Sequence, residues 1–243
     1  MKQAYLSEWA GKPLVEYIKN AGYNINFIRQ NDYVDPRIST HADLFICQFG
    51  LWDEAGLFFG DAEKLGPDYP QDIIYNALCT RDYFVHRITD SDPDMVEAMM
   101  HWRKSIAFHN EDKEQVRVIG VTQGYARCTC LPVDNRSFIT SDRGLANALE
   151  SQDASVLTIK PGSILLPGFE YGFIGGCAGH IYIDSLLDPA GPPQRAIVFN
   201  GNLSLHPDFE RIVDFIRSRN IHPVWFDSYP LEDIGSILSM EAP

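Results

Sequence analysis

Residues 136–159 read RSFITSDRGLANALESQDASVLTI. RSFITS is rich in strand formers, and SDRG makes a turn with a capping acid at Asp142. Leu145, Ala148 and Leu149 then share one helical face, and SVLTI returns as a buried strand. The stretch therefore predicts a strand, a turn, a short amphipathic helix and a second strand.

The same unit recurs along the chain. RAIVFN (195–200) runs through GNLSLHPD into a helix whose Phe209, Ile212, Val213 and Ile216 are spaced for one face, and HPVWF (222–226) follows as a strand. Pro207 suits the start of that helix, where its missing N–H is harmless, and Asp208 and Glu210 complement the helix dipole. A looser copy has IIYNA (73–77) as its first strand, a helix opened by Asp92 and Pro93, and VRVIGV (116–121) as its return. At the N-terminus Pro13 opens a helix with Leu14, Tyr17, Ile18 and Ala21 inward, Gly22 ends it, and NINFI is the strand. That copy has no first strand, and IGSILS (234–239) is expected to supply one from the other end of the chain. A repeat split between the termini predicts a closed ring, which hides the edges of an open array.

The chain has 243 residues, 45% apolar and 22% charged, enough for one large core and a single domain over 1–243. Lys plus Arg is 20 and Asp plus Glu is 33, a net charge of -13. That balance disfavours nucleic acid and anionic membranes as partners and tolerates neutral or cationic ligands. No apolar run is long enough to cross a bilayer, and the N-terminal stretch around Glu8 has no signal-peptide core, so a cytoplasmic location is expected. The five cysteines contain no C-x-x-C pair, which predicts reduced thiols, no bound metal and no cofactor. C-T-C places Cys128 and Cys130 on one face of an extended segment, with no further metal ligands nearby in sequence. Two segments stand outside the repeat: the aromatic, glycine-rich excursion 50–72 and the proline-rich loop 184–194.

Two motifs carry candidate chemistry. THADLFIC (40–47) puts His41 and Asp43 two apart at the start of a strand, hence on one face, as an acid/base pair or as an ordinary strand-end histidine. GFIGGCAGH (172–180) puts Cys177 and His180 in a glycine-rich run. Cys177 is there either an exposed nucleophile or a small apolar residue in tight packing.

The repeated units and glycine-rich strands resemble the guanidino-group-modifying enzyme superfamily, the penteins. GPDYPQDIIYNA, SDRG, GFIGG, NGNLSLHPD and LEDIGSIL look more closely like an uncharacterised bacterial family assigned to that fold. The resemblance implies an α/β fold: a pentein-like propeller of strand-turn-helix-strand units closed around a pseudo-symmetry axis, with the site at the axis. Deiminases of the superfamily use an H-x-D/E segment, matched here by His41, Asp43 and Phe45. Their nucleophilic cysteine follows a late glycine-rich strand. Of two such strands here, GSILS ends in Ser239 where the motif has cysteine, and GGCAGH supplies Cys177 immediately after its glycines.

Two readings follow. The favoured one, because the terminal cysteine is replaced by Ser239, is a non-catalytic protein that binds a small ligand at the axis or acts as a scaffold. The alternative is a cysteine-dependent hydrolase of a guanidine or amidine, with Cys177 as nucleophile and His41 as proton carrier. Asp43 and Asp142 are then the candidates to grip the cationic ligand, beside the backbone at Gly175 and Gly176. The excursion side chains Trp52, Leu57, Phe58 and Phe59 are expected to cover one end of the axis or to join two copies as a homo-oligomer.

Overall fold

A computed structural model of the chain describes residues 1–107, 116–184 and 191–241. The N-terminal part runs β1 (Lys2–Ser7), α1 (Lys12–Asn20), β2 (Asn24–Ile28), β3 (Ile46–Phe49), β4 (Gly56–Phe59), β5 (Leu78–Cys79) and β6 (Tyr83–His86). The middle follows as α2 (Pro93–Ala107), β7 (Arg117–Gly120), α3 (Ala126–Thr129), β8 (Cys130–Pro132), β9 (Ser137–Thr140), α4 (Arg143–Glu150) and β10 (Ser155–Thr158). The last part contains β11 (Ala178–Ile183), β12 (Gln194–Phe199), α5 (Phe209–Arg217), β13 (His222–Val224) and β14 (Leu238–Glu241).

The strand-turn-helix-strand order expected for 136–159 holds, but the return strand is not buried: Ser155 and Thr158 are exposed and Val156 and Leu157 half-buried. Ser137–Thr140 and Ser155–Thr158 pair in parallel around α4, whose Leu145 and Leu149 are buried and whose Asp142 caps Leu145 N at 2.8 Å. β12 and β13 pair in parallel around α5 in the same way, as do β1 and β2 around α1. β6 and β7 do so around α2, so the first strand of that unit is Tyr83–His86, not IIYNA. Gln71–Ile73 is instead a 3-10 turn.

The closed propeller is overturned by the sheet topology. Among the described residues the strands form four separate mixed sheets, with orders β14-β1-β2, β10-β9-β8, β11-β12-β13 and β4-β3-β5-β6-β7, and none closes on itself. The termini do meet, with Lys2 opposite Glu241 in an antiparallel β1–β14 pair. That contact hides one strand edge within a three-stranded sheet and requires no continuous ladder around the molecule. The N-terminal unit has its own strand at Lys2–Ser7, and the C-terminal partner begins at Leu238, later than expected.

The 50–72 excursion also breaks the uniform repeat. Its β4 pairs antiparallel with β3 and widens one sheet to five strands. Trp52 is buried edge-on against His180, and Phe58 packs beside Phe49 and Tyr75, while Phe59 is exposed. Of the proline-rich loop, residues 185–190 lie outside the described residues. Among the described residues, no helix is long and apolar enough to cross a membrane.

The glycine-rich run is explained by close backbone approach. A Cβ on Gly179 would stand 1.9 Å from the carbonyl oxygen of Ile237, and one on Gly176 would stand 2.0 Å from Asp233 Oδ1. Residues 231–237 thread along this run, with Ile234 N and Ser236 N both donating to Gly176 O. Only glycine lets that irregular segment come so close, and the segment carries Asp233 and Ser236 into the interior.

Candidate functional site

His41 does not begin a strand. It precedes a 3-10 turn over Ala42–Leu44, and β3 starts only at Ile46. At three residues per turn, side chains two apart point in different directions, so the shared strand face is lost. His41 and Asp43 are nevertheless both buried and both reach one centre. The third group there is Cys128, from the short α3, and one ligand-type atom from each of the three lies within 4.8 Å of the others.

Asn76 sets this geometry. Its side-chain oxygen accepts from Arg127 N at 2.9 Å and Cys128 N at 3.3 Å, satisfying backbone donors in α3. Its amide nitrogen reaches Asp43 O at 3.1 Å and Cys128 Sγ at 3.4 Å. The Cys128 thiol donates to Asp43 Oδ2 at 2.9 Å. The same oxygen accepts from the Ser236 hydroxyl, whose oxygen also lies 3.0 Å from Gly175 O. Burial, then the charge of Asp43, pushes the Cys128 thiol well above its ordinary range, so it rests protonated. Arg127 is buried beneath the site, with Nη1 on Gly175 O at 3.1 Å. Burial lowers its guanidinium from the ordinary value, against the charge of Asp43, which raises it.

Asp233 is the fourth polar group. Its carboxylate accepts from Phe173 N at 2.9 Å and Gly235 N at 3.0 Å, and Oδ1 stands 4.0 Å from His41 Nδ1. Burial raises its pKa, and the neighbouring His41 acts in the opposite direction. Asp233, His41 and Cys128 line a cavity of about 60 Å³, walled by Ile38, Tyr125, Leu166, Phe169 and Phe173. Its rim is braced: Arg37 lies 4.2 Å over the Phe169 ring, and Tyr125 donates to Asp72. A larger trough of about 540 Å³, beside Tyr182, Arg195 and His222, is open to solvent and lies away from these groups.

The other expected site residues are elsewhere. Cys177 sits in the apolar core with Ile174, Ile197 and Phe199, and its thiol donates to Ile174 O at 3.2 Å. Burial pushes that thiol well up, so the small-apolar reading of the glycine run is the one this placement favours. Asp142 is a helix cap and does not line the cavity. Gly175 and Gly176 contribute carbonyl oxygens behind the site, to Arg127 and to the Ile234 and Ser236 amides respectively. Ser239 donates to His180 O within the core. His180 Nε2 donates to Pro132 O, 2.7 Å away, and burial brings its pKa down to about 3. None of the 50–72 side chains lines the cavity. Cys128 and Cys130 do not share a face: Cys128 lies in α3 facing the site and Cys130 packs in a separate apolar cluster.

Residues 6–238 match the model of a family described as "Family of unknown function (DUF6873)". No curated protein matches the chain.

Proposed function

We propose that this chain, which belongs to the DUF6873 family, binds a small organic cation with a guanidinium or amidinium headgroup in the Asp233 cavity. The observation that carries the reading is a fully buried carboxyl whose pKa burial raises, at the wall of a cavity otherwise largely apolar and aromatic. An incoming cation pairs with this carboxylate and has ring faces to lie against. The cavity suits a headgroup, with any longer chain outside, since whole drug-sized ligands need about 300 Å³ or more. The ligand class coincides with the one implied by the resemblance to guanidino-modifying enzymes. The five free cysteines support action in a reducing, cytoplasmic compartment.

Calorimetric titration tests the reading. Methylguanidine or benzamidine should bind, the neutral isostere methylurea should bind at least about ten-fold more weakly, and Asp233→Asn should abolish the difference. Equal binding of the cation and the urea removes the proposal.

A second reading has one specific support: Cys128 and His41 line the same cavity. A bound cation favours ionisation of the thiol, whose proton passes to His41, and the thiolate can then add to the amidinium carbon. His41 protonates the departing amine, and water releases the urea or amide and restores the thiol. Ammonia release that Cys128→Ser abolishes and Cys177→Ser leaves intact supports this activity.

A further inference from the structure

Asp43 Oδ2 and Cys128 Sγ stand 2.9 Å apart with one thiol proton between them. Asp43 Oδ1 is buried and has no hydrogen-bond partner among the described residues. A nitrogen of His41 completes a set of three ligand-type atoms, all within 4.8 Å of one another and all on buried residues. We propose that His41, Asp43 and Cys128 bind one divalent transition-metal ion of the zinc class, which takes the place of the proton between Cys128 and Asp43 and leaves a coordination position open to the cavity.

The donor set is the first argument. One imidazole, one carboxylate and one thiolate suit zinc, and three protein ligands leave the fourth tetrahedral position free. Distance is the second. Ligand atoms around a tetrahedral zinc stand about 3.5 Å apart, given bonds of about 2.0–2.3 Å. The separations here bracket that value, 2.9 Å for the sulfur–oxygen pair and none beyond 4.8 Å.

The surroundings are the third argument. Asn76 holds the Asp43 carbonyl and the α3 amides, Ser236 holds the Asp43 carboxylate, and Asp233 flanks His41. Such outer partners orient metal ligands in general. On binding, the thiol proton leaves to solvent, the metal–sulfur and metal–oxygen bonds replace the thiol–carboxylate hydrogen bond, and no oxidation state changes. The inference does not depend on an organic cation pairing with Asp233. It adds that metal and organic cation compete, since both draw on the negative charge of one small cavity.

The test uses the full chain, treated with chelator and then titrated with Zn²⁺ and, separately, Co²⁺. One equivalent should bind, and Co²⁺ should produce a near-ultraviolet thiolate-to-metal band. Cys128→Ser should remove the band and weaken binding by at least about 100-fold. Asp43→Asn should weaken it comparably, and it decides the matter if the serine variant fails to fold. Cys177→Ser should leave both readouts unchanged. Asp233→Asn should retain the band while losing methylguanidine, which separates this site from the organic-cation pocket. No binding at micromolar metal, or an unchanged band in both Cys128→Ser and Asp43→Asn, overturns the proposal.

Discussion

The thiol of Cys128 donates to the carboxylate of Asp43 at 2.9 Å, joining residues 85 apart in the chain. Ser236 donates to the same oxygen from 193 residues away. Three distant segments are thus tied at one carboxylate. Asp43→Ala takes the acceptor from the Cys128 thiol inside a buried site and leaves the Ser236 hydroxyl only Gly175 O. A buried donor left unsatisfied costs about 1–3 kcal/mol, so urea unfolding should show a loss of about that size. A loss below about 0.5 kcal/mol would mean that the knot is not stabilising.

A cationic electrophile, chloroacetamidine, should alkylate Cys128 in the folded protein and spare Cys177. The first thiol lines the cavity and the second is enclosed by the core. Neutral iodoacetamide should be slower, because burial and Asp43 keep the Cys128 thiol protonated. Peptide mass spectrometry reads the outcome, and preferential labelling of Cys177 would contradict the placement.

The fold is more legible in the sequence than the cavity is. Residues 136–159 show both periods within one short stretch, and packing against a sheet preserves them, so β9, α4 and β10 follow from pattern alone. The Cys128 helix is four residues long, too short to show a period. Asp233 lies in an irregular segment held by Gly235 N, Phe173 N and Leu165 O, contacts with no local signature. The glycine run signals backbone proximity to Asp233 and Ile237, and the cysteine inside it packs in the apolar core. Asn76, which fixes Cys128, sat within a segment read as a strand.

Gly235 offers a direct handle on His41. Its φ is +71°, and a Cβ there would lie 2.1 Å from His41 Cβ. Gly235→Ala should therefore cost about 1–2 kcal/mol for the left-handed backbone, with the clash added. Methylguanidine binding should fall by more than the melting shift accounts for, because His41 must move. A variant with wild-type melting and binding would show that the segment yields freely.

Removing residues 231–243 should unfold the domain. The deletion removes Leu231, Ile234, Ile237 and Leu238, all buried, together with the partner of β1. At about 1.5–3 kcal/mol for each side chain, the loss is about 6–12 kcal/mol. That matches the whole stability of a typical domain, about 5–15 kcal/mol. Circular dichroism should show no cooperative melt, and a melt like that of the full chain would refute the role of the terminal strand.

His86 should make the protein acid-labile. The imidazole is buried, with Nδ1 2.7 Å from Ser91 Oγ and Nε2 3.0 Å from Ile73 O, and burial lowers its pKa from 6.5 to about 4. Between those values the unfolded chain takes up a proton that the native state refuses, so stability falls as pH falls. The slope is up to about 1.4 kcal/mol per pH unit, reaching about 3 kcal/mol by pH 4. Asp72 and Asp233 act in the opposite sense, since burial raises both and the native state binds their protons first. Comparison with His86→Gln isolates the histidine, because both proteins keep those carboxyls. The variant should be less stable than the wild type at pH 7, where a buried hydrogen-bonded ring is lost, and the gap should narrow steadily toward pH 4. Urea unfolding at half-unit pH steps measures it, and parallel curves would exclude His86 as the titrating group.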